Sequence, residues 1–82
     1  MRTRQQSLGD KNLIGARVEQ LRRDKGLKQR DLLIKLEILG IDLDASGLSK
    51  IEGQHRSVSD FELVAISQAL DVPVSYLLGL AQ

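Results

Sequence analysis

Eighty-two residues without a cysteine make one modest domain and exclude a disulfide framework, a thiol nucleophile and a thiolate metal site. The formal net charge is only +1, yet residues 1–30 hold nine Lys/Arg against three Asp/Glu, and residues 31–82 hold three against eight. A basic front and an acidic back suit a polyanionic partner on one side only; a basic tail on a neutral domain fits the same charges.

Residues 1–10 read as a flexible basic arm carrying Arg2 and Arg4, and residues 11–82 as a single domain. From about Asn12 to Asp24, Ile14, Val18 and Leu21 recur at helical spacing, with Leu13 beside them. Asp10 or Asn12 can cap the start of this first helix. Arg22, Arg23 and Lys25 suit the negative end of its dipole, and Gly26 stops it. A second helix is expected from about Gln29 to Leu39, with Leu32, Leu33, Leu36 and Leu39 on one apolar face and Gly40 as its stop.

The third helix, residues 44–52, has Asp44 as its N-cap and Leu43 and Leu48 at the spacing of a hydrophobic staple. Leu48 and Ile51 form a narrow apolar edge that can seat it on a core. The opposite edge carries Ala45, Ser46, Ser49 and Lys50, small or polar residues that another molecule can approach closely. Taken alone, the segment fits an ordinary surface helix equally well.

After Gly53 and a polar loop, Ser59 to Glu62 reads as a capping box with Val58 and Leu63 as its staple. The fourth helix runs on through Val64, Ile66, Ala69 and Leu70 and is expected to be the most buried. Pro73 breaks it and starts a short fifth helix, about Val74 to Leu78, closed by Gly79. No strand alternation is present, so the fold class is all-α, a compact five-helix bundle. No apolar run nears the roughly 20 residues that span a bilayer. No apolar stretch follows the basic N-terminus as in a signal peptide, so the expected compartment is the cytoplasm.

Two helices joined by a turn, the second polar on its free edge, have the form of a helix-turn-helix. Ile14 to Arg22, Gly26-Leu27-Lys28-Gln29, Leu32, Leu48-Ser49-Lys50-Ile51-Glu52, Arg56, Leu63 and Ala69-Leu70-Asp71-Val72 occur in that order. Together they resemble the phage-repressor/Cro (XRE) helix-turn-helix family, whose DNA-binding domain is lambda-repressor-like, over residues 12–80. The resemblance implies that Gln29, with Arg30 beside it, grips a phosphate at the start of the second helix. It implies that Ala45, Ser46 and Lys50 face base edges with Gly47 and Ser49 beside them, and that Arg56 contacts the DNA backbone. It also implies an ion pair between Arg22 and Glu52 that ties the first helix to the recognition helix.

Three departures from the family pattern stand out. The connection from Leu36 to Glu52 is about five residues longer than usual, Gln54 stands where a glycine is common, and Gly47 interrupts the recognition helix. Gly47 costs about 1 kcal/mol relative to alanine, and can serve either close approach to a duplex or relief of crowding. Ala45 offers a thymine methyl only apolar contact and Lys50 one flexible donor, so DNA shape and bridging water must carry much of any specificity.

His55, the sole histidine, reads as a loop residue or phosphate contact rather than a metal ligand; Phe61 and Tyr76 read as core or interface residues. No nucleophile–base pair or phosphate loop is present, so no enzyme, metal or cofactor is expected. The expected function is sequence-specific double-stranded DNA binding as a small transcriptional regulator, a repressor, with helix 44–52 in the major groove. A homodimer is expected, its seam formed by Val74, Tyr76, Leu77, Leu78 and Leu80. The rivals are the antitoxin half of a toxin–antitoxin pair and a protein-interaction domain without DNA contact.

Overall fold

The computed structural model describes residues 7–80, which form five helices and no strand: α1 (Gly15–Asp24), α2 (Gln29–Ile38), α3 (Ala45–Glu52), α4 (Asp60–Leu70) and α5 (Val74–Leu77). Their ends follow from local chemistry. Asn12 Oδ1 accepts the backbone N–H groups of Ile14 at 3.0 Å and Gly15 at 2.8 Å, so residues 12–14 form the cap and α1 starts later than periodicity suggests. Gly26 and Gly40 turn the chain at φ +71° and +89°, and the following N–H groups of Leu27 and Ile41 return to the carbonyls of Arg22 and Leu36. Asp44 opens α3 by accepting the Gly47 N–H at 2.7 Å. The capping box of α4 is complete: Ser59 Oγ accepts from Glu62 N at 3.1 Å, and Glu62 Oε1 from Ser59 N at 2.9 Å.

Ile14, Val18, Leu32, Leu36, Leu48, Ile51, Ala65, Ile66, Leu70 and Leu77 form one buried cluster. α3 rests on α1 and α2, α4 closes over the same two helices, and α5 packs on α4. The assembly measures 30 × 28 × 24 Å.

Several apolar side chains expected inside are outside. Leu39 and Val64 are exposed; Phe61, read as a core or interface residue, is 80% exposed and so no part of the core. α4 meets its neighbours along Ala65, Ile66 and Leu70, with Leu63 and Ala69 partly buried beside them, and of its apolar residues only Phe61 and Val64 face away. Leu39 falls at the C-cap, where the chain turns at Gly40. In the C-terminal segment Leu77 is fully buried in its own chain and Leu78 half-buried, while Tyr76 and Leu80 are exposed.

Part of the stretch expected as an arm is held by the turn after α3. Gly9 N–H donates to the Gly53 carbonyl at 2.8 Å and Lys11 N–H to that of Gln54 at 3.0 Å. A Cβ on Gly9 would collide with the Gln54 carbonyl oxygen, so this contact needs a glycine. Residues 1–6, including Arg2 and Arg4, lie outside the described residues. No helix among the described residues is long and apolar enough to cross a membrane.

Candidate functional site

α3 is clamped from behind. Arg22 Nε donates to Glu52 Oε2 at 2.7 Å and Nη2 to Oε1 at 3.1 Å, while Nη1 donates to the Leu27 carbonyl at 2.8 Å. The Arg22 and Glu52 side chains are only 9% and 1% exposed. Gln29, half-buried at the start of α2, donates through Nε2 to Glu52 Oε1 at 3.0 Å and to Ser49 Oγ at 3.2 Å. Its side chain therefore links α2 to α3 instead of standing free. Among the described residues no buried side-chain polar atom lacks a partner.

Two residues that periodicity passes over complete the clamp. A Cβ on Gly15 would fall on the Ile51 carbonyl oxygen and lie 2.8 Å from that of Glu52, so only glycine lets α1 meet the end of α3 this closely. Asn12 Nδ2 donates to the carbonyls of Ile51 at 3.1 Å and Arg56 at 2.8 Å, tying the start of α1 to both ends of the turn after α3. That turn places its left-handed residue at Gln54, φ +62°, while Gly53 stays right-handed. Gln54 Nε2 donates to the Asn12 carbonyl at 2.8 Å, a contact glycine could not make. The sequence signal for Gly15 is a glycine in a first helical turn, where it is disfavoured unless backbones approach.

The outer edge of α3 presents Ala45, Ser46, Ser49 and Lys50, all exposed. Gly47 does not share that edge. It is half-buried, and a Cβ there would sit 2.7 Å from Leu43 Cδ1 and 3.1 Å from Asp44 Oδ1. Gly47 thus makes room for the cap and staple. Arg30 is exposed and borders a shallow depression between α2 and the 39–44 connection, beside Glu37 and Asp42.

An open groove of about 810 Å³ runs along α3, lined by Asp42, Leu43, Asp44, Ser46, Gly47, Lys50, His55 and Arg56. The long connection thus brings two carboxylates to face three groups that can carry positive charge. Arg56 already has a partner: Nη1 and Nη2 grip Glu62 Oε1 and Oε2 at 3.0 and 2.8 Å. Hydrogen bonding to Glu62 raises the Arg56 pKa above its ordinary value. Hydrogen bonding to Arg56, against some desolvation, holds the Glu62 carboxyl below the usual carboxylate range. No group of three or more His, Cys, Asp or Glu that could hold a metal ion occurs among the described residues.

A scan against protein-family models finds no match to this chain, and a search of curated proteins finds none either.

Proposed function

We propose that this chain is a helix-turn-helix transcriptional regulator, a repressor that binds double-stranded DNA with α3 in the major groove, and that it performs no catalysis. The observation that carries the reading is the exposed edge Ala45, Ser46, Ser49 and Lys50 on a helix fixed from behind by Arg22, Glu52 and Gln29. Eight residues of helix rise about 12 Å, the scale of a major groove. The Gln29–Ser49 contact puts the N-terminus of α2 beside this edge, where free amides and positive potential favour a phosphate.

Base contacts from α3 and backbone contacts from Gln29, Arg30 and Arg56 divide the work of specifying and positioning. One such helix reads few base pairs, so a two-fold dimer through the exposed Tyr76 and Leu80 and their half-buried neighbours Val74 and Leu78 completes the proposal. Its half-sites would lie about 34–36 Å apart, one helical turn. The exposed Ile38, at 79%, and Phe61 favour one second reading, in which the chain docks a protein, as an antitoxin docks its toxin.

Selecting bound sequences from random duplex DNA and titrating their affinity with salt tests the proposal. Enrichment of an inverted repeat with affinity that falls as salt rises is expected. No enrichment and no salt-dependent binding would leave the protein-docking reading in its place.

A further inference from the structure

The groove beside α3 is lined by a cation with donors to spare. A guanidinium has five N–H donors. Arg56 commits three: Nη1 donates to the Ser57 carbonyl at 2.8 Å and to Glu62 Oε1, and Nη2 donates once to Glu62 Oε2. Nε–H and the second Nη2–H lie together along the other edge of the same plane, and neither has a partner among the described residues. That edge is a second fork of the shape that grips phosphate bidentately. Arg56 lines the same groove as Ser46 and Lys50 on the exposed edge of α3.

The fork also has a rigid mount. The Arg56 carbonyl is held by Asn12 from the start of α1, and Glu62 is held by the Ser59 N–H at the start of α4. Both anchors are helix ends, so the guanidinium is located from two sides.

We propose that Glu62 makes Arg56 a two-sided cation, one edge held by the carboxylate and the other presented to one phosphate of a seated duplex, so that the pair sharpens discrimination between DNA sequences. The inference rests on the DNA-binding reading and deepens it. The pair carries no net charge and adds little to the long-range field that draws any polyanion. Its free edge acts only at hydrogen-bond range and in one orientation, which a correctly docked duplex meets and a random encounter does not. Glu62 is thus a positioning residue, and removing it converts a directed contact into a loose positive charge.

The test measures parent, Glu62→Gln, Arg56→Gln and the double variant on the selected duplex and on a random one, across a salt series. Glu62→Gln should tighten random binding several-fold, steepen its salt dependence by about one counterion, and tighten selected binding less, so the ratio of the two affinities narrows. With Arg56→Gln already present, Glu62→Gln should move both affinities by the same factor. A ratio unchanged by Glu62→Gln, or narrowed equally without Arg56, overturns the inference. Arg56→Lys gives an arm that leaves Glu62 in place: it keeps the charge but has no second edge. It should lose affinity for the selected duplex and keep that for random DNA; equal losses on both overturn the inference. A parent chain that binds neither duplex overturns the DNA reading itself, and the inference with it.

Discussion

Among the described residues two bidentate Arg–Glu pairs tie helices and turns together, and they differ in almost everything but their geometry. Arg22–Glu52 lies between α1 and α3 with side chains 9% and 1% exposed; Arg56–Glu62 lies at the rim of the groove at 31% and 16%. The inner pair is enclosed. Leu27 takes the remaining Nη1 of Arg22, and Gln29 adds a donor to Glu52. The outer pair leaves one edge of its guanidinium unused where solvent and the groove can reach it. Burial decides the consequences: an inner charge stripped of its partner has no water to turn to, whereas an outer one does. The same chemical unit thus fixes the fold in one place and stands available to a ligand in the other.

The largest effect is expected at the inner pair. Glu52→Ala should destabilise the protein by about 3–5 kcal/mol, since Arg22 is left buried and uncompensated. Thermal or denaturant melting checks this, and a variant that melts like the parent would mean that the inner pair is no more than a surface contact. The backbone approach beside that pair comes next. Gly15→Ala should cost about 1–3 kcal/mol, because the new methyl meets the carbonyl of Ile51, a backbone atom that cannot swing aside. An unchanged melting curve for Gly15→Ala would show that α1 can lift from α3 without loss.

The outer pair should matter least for stability. Glu62→Gln should cost about 0.2–1 kcal/mol at neutral pH, the range of partly exposed pairs. Its pH dependence sharpens the contrast. The folded Glu62 carboxyl is held below its unfolded value, so its contribution is fully present above the ordinary carboxylate pKa of about 4.3 and is lost as pH falls through the lowered folded value. The stability gap between parent and Glu62→Gln should therefore close on acidification. A gap constant from neutral pH to well below 4 would show that the ion pair contributes nothing.

Features set by near neighbours along the chain are legible in the sequence. The Asp44 cap, the Ser59–Glu62 box and the stops at Gly26 and Gly40 each depend on residues within a few positions of one another, and all four form. The helical spacing of Leu32, Leu36, Leu48 and Ile51 marks their core face. Spacing alone does not say which helices have neighbours on a given side, which is why Leu39 and Val64 read as core and lie exposed. Arg22–Glu52 follows from a family resemblance and not from spacing, since 30 residues separate the two.

Contacts across turns are hidden from the sequence. Glu62 is legible as a cap and not as the partner of Arg56, because a loop and no helical period connects them. Asn12 is one of two candidate caps, and nothing local reveals its amide reaching Ile51 and Arg56. Gly47 has two open roles in the sequence, and it takes the direction of its absent Cβ, toward Leu43 and Asp44, to show the relief of crowding.

The claim that the outer edge of α3 reads DNA is tested most directly by Lys50→Ala. Lys50 lies on that edge one turn beyond Ser46, is exposed, and lines the groove. The affinities of parent and variant are measured on the selected duplex and on random duplex DNA. Base contacts discriminate directly and a freely swinging charge on a phosphate does not, so the variant should lose about 1–3 kcal/mol of preference for the selected duplex while random binding changes little. Equal losses on both duplexes would make Lys50 a phosphate clamp and contradict the placement of α3 as the reading helix.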